Sequence, residues 1–145
     1  MKSFHFLIGL VGLLIGVEAF AVPTTIPVQT ISETAAAATE TAADTANGNR
    51  FINREENVFL RLRNSHATNA STVTITAQDT SENIPGFGLM TKANISVSLA
   101  AGDIKYVGPF PRKAFNDSSE YVNMTFSGTG TVLVTPFKVT DLVKK

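Results

Sequence analysis

The sequence predicts an all-β protein: an antiparallel β-sandwich of jelly-roll or Ig-like kind, preceded by a hydrophobic N-terminal helix and an extended arm. Three observations carry that expectation. Apolar and polar residues alternate with a period of two over several short stretches, which turns one face of each strand to a core. Those stretches recur at roughly ten-residue intervals with turn residues between them, as in a sandwich. Thr and Val are plentiful and Trp is absent, and branched side chains suit a pleated surface.

Residues 1–22 form the hydrophobic segment. Lys2 is followed by an apolar run over 4–17, broken only by His5, and then by Glu18-Ala19-Phe20-Ala21. A basic start, an apolar stretch and an Ala-x-Ala end predict a secretory signal peptide cleaved after Ala21. A retained membrane or assembly helix is the competing expectation. Gly9, Gly12 and Gly16 fall on a similar helical face, and Gly12-x-x-x-Gly16 is a close-packing pattern of membrane helices. In that case residues 4–22 contact a membrane.

Residues 23–49 change character. Ala and Thr dominate, and Glu33, Glu40 and Asp44 stand without a basic residue. Ile26, Val28 and Ile31 predict one edge strand, where Pro27 is tolerable. The rest reads as an extended arm, a loosely docked loop or a linker, because no apolar stripe pins a helix to a core. Asn47-Gly48-Asn49 marks a turn.

The β-domain is expected over 50–140, with 141–145 as a frayed tail. Val58, Leu60 and Leu62 alternate with Phe59, Arg61 and Arg63. Residues 71–77 put Val73 and Ile75 inward and their Thr neighbours outward. Residues 79–92 are too polar for a core strand, with Phe87, Leu89 and Met90 expected to cover an edge. Ile95, Val97 and Leu99 alternate with polar residues, 104–107 follow a tight turn at Gly102, and 121–126 and 131–139 close the set. Gly108, Pro109 and Pro111 make a rigid corner that must stop a ladder. Phe110 and Phe115 flank it, either plugging it into the core or meeting a partner.

Chemistry is sparse. With no Cys there is neither disulfide nor thiolate site. Twelve acidic and twelve basic residues cancel, which argues against a nucleic-acid partner held by net charge. His5 and His66 have no converging ligands, and Asp79, Glu82 and Asp103 lack the compact spacing of a calcium loop. There is no nucleophile elbow, triad or phosphate loop, so no catalytic residue, metal or cofactor is expected. Arg50, Arg54, Arg61 and Arg63 are the one basic cluster. Arg61 and Arg63 share an outward face and are interface candidates, with Glu55 and Glu56 near enough in sequence to neutralise them.

Three stretches together carry a resemblance: residues 24–31 leading into 41–51, residues 58–64 with 71–75, and the corner Val107-Gly108-Pro109-Phe110-Pro111 with Phe115-Asn116. In this order, over residues 24–139, they resemble small structural proteins of tailed bacteriophages, head decoration or minor capsid proteins. The departure is the apolar leader, since typical members begin near the Thr-Thr-Ile-Pro segment. The resemblance implies a non-enzymatic virion protein docked on the capsid surface or held in a virion membrane. Its partners would be the major capsid protein, other virion proteins or further copies of itself, and Arg61, Arg63, Phe110 and Phe115 are its contact candidates. The alternative is a secreted or periplasmic β-sandwich module that binds a cell surface or carbohydrate.

Overall fold

The computed structural model describes residues 21–32, 37–79, 81–86 and 88–139. The expected N-terminal helix with Gly9, Gly12 and Gly16, and the tail 141–145, lie outside the described residues. The chain is mostly β. Its strands are β1 (Thr24–Thr25), β2 (Gln29–Ile31), β3 (Thr41–Ala42), β4 (Asn49–Ile52), β5 (Val58–Asn64) and β6 (Ser71–Ile75). Then come β7 (Ser81–Ile84), β8 (Gly88–Thr91), β9 (Ile95–Leu99), β10 (Ile104–Val107), the single-turn helix α1 (Arg112–Phe115), β11 (Tyr121–Gly128) and β12 (Val132–Val139).

Two mixed sheets result. The first runs β1-β4-β11-β6-β9 and the second β10-β5-β12-β2, with β3 on the same edge of β12 as β2. The period-two pattern decides what is buried: Leu60 and Leu62 of β5, Val73 and Ile75 of β6, Val122 and Met124 of β11 and Val134 of β12 join one core. β7 and β8 pair only with each other, as a hairpin turning at Pro85-Gly86. Leu89 on it is exposed and covers no edge, contrary to expectation.

The ladders between the main strands are antiparallel, as expected; the two parallel pairings, β1 with β4 and β2 with β12, both come from the arm. The arm is therefore partly strand. Of the single edge strand expected over Ile26–Ile31 only Gln29–Ile31 is strand, because the chain changes sheets between β1 and β2. Ile26 donates its N–H to Arg50 O on the first sheet and buries its side chain in the core. The nitrogen of Pro27 faces away from β4, on the open edge where a missing N–H is tolerated, and β2 then begins on the second sheet.

The corner after β10 is built as the prolines require. Gly108 has φ of +123°, and a Cβ there would lie 2.9 Å from Val58 O, so only glycine fits. Phe110 packs against Phe51 at 5.6 Å and Phe115 at 5.8 Å between ring centroids. Asn53 Nδ2 donates to Phe110 O at 2.8 Å and to Asn116 Oδ1 at 2.9 Å, which satisfies the turned backbone.

At the opposite end of the core, fully buried Asn64 ties three loops together. Its Nδ2 donates to Asn69 O (2.7 Å), Leu99 O (3.2 Å) and Ala100 O (3.1 Å), and its Oδ1 accepts from the N–H groups of His66 and Thr131 (both 3.1 Å).

Candidate functional site

The outer face of the second sheet collects the residues of interest. Alternation that buries Leu60, Leu62 and Val134 sends Phe59, Arg61 and Arg63 of β5, and Thr135 and Phe137 of β12, to the other side. Register then places Tyr106 beside Arg61 and Arg61 beside Thr135, with Ile104 beside Arg63. Phe59 and Phe137 stack at 5.8 Å, and Tyr106 meets Phe137 edge-on at 6.2 Å. Tyr106 is 64% exposed and Ile104 48%.

The arm closes over part of this face. Gln29 on β2 donates from Nε2 to Thr39 O (2.5 Å) and accepts from Thr39 N–H at Oε1 (2.8 Å), so a side chain imitates a ladder. Glu40 then reaches across β12 to β5. Its carboxylate accepts from Arg61 Nη1 and from Arg63 Nη2 and Nε, the last at 2.8 Å. These bonds, Arg63's first and Arg61's second, hold the Glu40 carboxyl down to about 2. Glu40 in turn pushes both guanidinium groups upward. Between arm and sheet lies a cleft of about 520 Å³, lined by Gln29, Ile31, Ala38, Arg61, Tyr106 and Phe137 among others. Thr135 also lines it, is 3% exposed, and its Oγ1 has no hydrogen-bond partner among the described residues.

Of the expected contact residues, Arg61 and Arg63 come together here. Their ion-pair partner is Glu40 of the arm, one carboxylate shared by both. Glu55 instead pairs with Lys138 at 2.9 Å, and Glu56 accepts from the backbone N–H of Arg112 at 2.8 Å. The four arginines do not form one cluster: Arg50 lies over the Tyr121 ring at 4.4 Å on the first sheet, and Arg54 pairs with Glu120 at 2.7 Å. Phe110 and Phe115, entertained as contact residues, are 0% and 1% exposed and offer a partner no surface. Their role is packing, since the corner folds inward. His66 serves its own turn, with Nδ1 accepting from the N–H groups of Thr68 (3.2 Å) and Asn69 (3.0 Å).

Among the described residues no group of three His, Cys, Asp or Glu side chains could hold a metal ion, and no helix is long and apolar enough to cross a membrane. Sequence reasoning passed over Glu40 and Thr135. A signal for Glu40 existed: an acidic arm without a basic residue, followed by strand arginines. No family model matches the chain, and neither does any curated protein or solved structure.

Proposed function

We propose that the chain is a non-enzymatic virion structural protein, a capsid decoration or minor capsid protein of a bacterial virus. It docks through the outer face of the second sheet onto the major capsid protein or another virion protein. The observation that supports this best is the composition of that face. Tyr106 is exposed beside the Phe59–Phe137 stack and Ile104 is exposed beside Arg63, while both arginines next to them are already engaged by Glu40 of the same chain. Such a patch gains by being covered, and an aromatic with a polar tip suits a protein contact. Residues 4–22 would supply a membrane contact in a particle with a lipid layer. We also read the two sheets as a β-sandwich, of jelly-roll rather than Ig-like order: β4, β6, β9 and β11 lie in one sheet and β5, β10 and β12 in the other, so the chain crosses between layers at most steps.

Purified particles test the role. Particles lacking the protein should lose heat resistance, and Tyr106→Lys or Ile104→Lys should leave the protein folded but absent from particles. Particles equally robust without it, or variants that still load fully, overturn the role.

The cleft favours the second reading, a secreted or periplasmic binding module, since its volume is within the range of small-ligand sites. N-terminal sequencing separates the two. A soluble mature chain that starts at Val22 and is absent from particles would select the module.

A further inference from the structure

The edges of the two sheets are unequally protected. β1, β2 and β3 are two or three residues long, too short to template a partner strand. On β9, Lys105 Nζ reaches across and donates to Ser98 O at 2.6 Å. β10 is different. Asn64 N–H donates to Asp103 O at 2.9 Å, which fixes the parity of this ladder: residues 103, 105 and 107 turn their backbone groups to β5. The N–H and C=O of Ile104 and Tyr106 therefore face the open side, next to two exposed apolar side chains.

We infer that β10 pairs antiparallel with β10 of a second copy of this chain, Ile104 opposite the second copy's Tyr106, about a twofold axis at Lys105. In that register each outward N–H and C=O of Ile104 and Tyr106 gains a partner, and two Ile–Tyr pairs form on the outer face. A slip that puts Ile104 opposite itself would set Tyr106 against the turn at Gly102 and waste its backbone groups. The charges allow the pairing. Lys105 meets its own copy, but Asp103, already 3.6 Å from Lys105 within one chain, lies diagonal to the facing lysine, so the edge is neutral. The whole chain also has zero formal charge and no long-range self-repulsion. A four-residue pairing is small and belongs to the weak class of interfaces. Repetition on a particle would multiply it, yet the pairing is a property of the free chain and does not rest on the virion role.

The absence of cysteine makes the register testable in the full-length chain. Lys105→Cys places the only two thiols of the dimer opposite each other at a non-hydrogen-bonded pair, with Cα atoms about 4.5 Å apart and within disulfide reach. Mild oxidation at roughly 100 µM should trap a dimer on a non-reducing gel; that concentration suits a weak interface. Ser96→Cys, exposed on β9, should stay monomeric under the same treatment. Adding Tyr106→Pro to Lys105→Cys removes an outward N–H without touching the β5 ladder and should lower trapping about tenfold, an unpairing worth ~1.4 kcal/mol. A melting curve checks that this variant folds; if it does not, Tyr106→Lys takes its place. Trapping no greater than in Ser96→Cys, or trapping indifferent to both Tyr106 changes, overturns the pairing. The crosslink is read without particles, so it can succeed where particle loading fails, and the reverse.

Discussion

Glu40→Gln tests how the arm is held. The side chain is 22% exposed and accepts bonds from two guanidinium groups. Its carboxyl lies at about 2 against an ordinary 4.5. At ~1.36 kcal/mol per pH unit, that gap sets a ceiling of about 3 kcal/mol. Arg63 is 34% exposed, so water screens the pair, and we expect about 1–2 kcal/mol at neutral pH. Gln keeps the size and one acceptor oxygen, so the loss is that of charge. Because folding lowers this carboxyl's pKa, its contribution is complete above about 4.5 and disappears as the pH falls through about 2. Urea unfolding of both proteins at stepped pH reads this directly, and subtraction removes other carboxylates that titrate low in both, such as Asp44. The wild-type advantage should be level from about pH 5.5 to 8 and close towards pH 2. Hydrogen exchange should show β3 loosened in the variant. A pH-independent difference, or unchanged protection of β3, would refute the ion-paired latch.

Other substitutions probe the frame behind the face. Asn64→Ala should cost about 3–5 kcal/mol in urea unfolding, since it strips partners from several buried backbone groups. Asn64→Asp should be no better, because it aims a carboxylate at the carbonyls of Asn69, Leu99 and Ala100. Thr135→Val replaces an unpartnered buried hydroxyl with a methyl group and should be neutral or stabilising by up to about 1–2 kcal/mol; a loss of stability would show that the hydroxyl has a partner. Gly108→Ala should lower the melting temperature through at least about 1–3 kcal/mol of strain, as a Cβ would crowd Val58 O and Phe59 Cα.

Much of the strand layout was readable because burial enforces it. Val58, Leu60 and Leu62 can only share one face of a strand, and β10 was bounded by Gly102 before it and Gly108 after it. Phe110 was ambiguous, since an aromatic beside two prolines reads the same whether the corner folds inward or outward. What settles it is Asn53, 57 residues away, whose amide holds Phe110 O. Asn64 stands at the head of a mostly polar run, residues 64–69. Its burial depends on the ends of β9 and β12 meeting there, which no local pattern encodes. The arm was least legible: two- and three-residue strands carry no period, and their partners lie far along the chain.

One residue links the arm to the candidate site. Val132 O accepts from Ala43 N–H, and Ser65 N–H donates to Thr131 O, so residues 132, 134 and 136 turn their backbone groups to the arm while alternate residues face β5. Pro136 therefore lacks its N–H on the arm side, where a continuous strand would need it. The edge is split accordingly: β3 covers 133–134, β2 covers 137–139, and 135–136 have no partner strand there. β2 runs parallel to β12 and β3 antiparallel to it, so the chain reverses direction between Ile31 and Thr41 before it regains this edge. That excursion carries Glu40 over the outer face to Arg61 and Arg63 and leaves the cleft above Thr135. Pro136 thus sits in the stretch of that edge which the reversal leaves uncovered, where its missing N–H costs no ladder bond, and the returning segment brings a carboxylate to two arginines one strand further in.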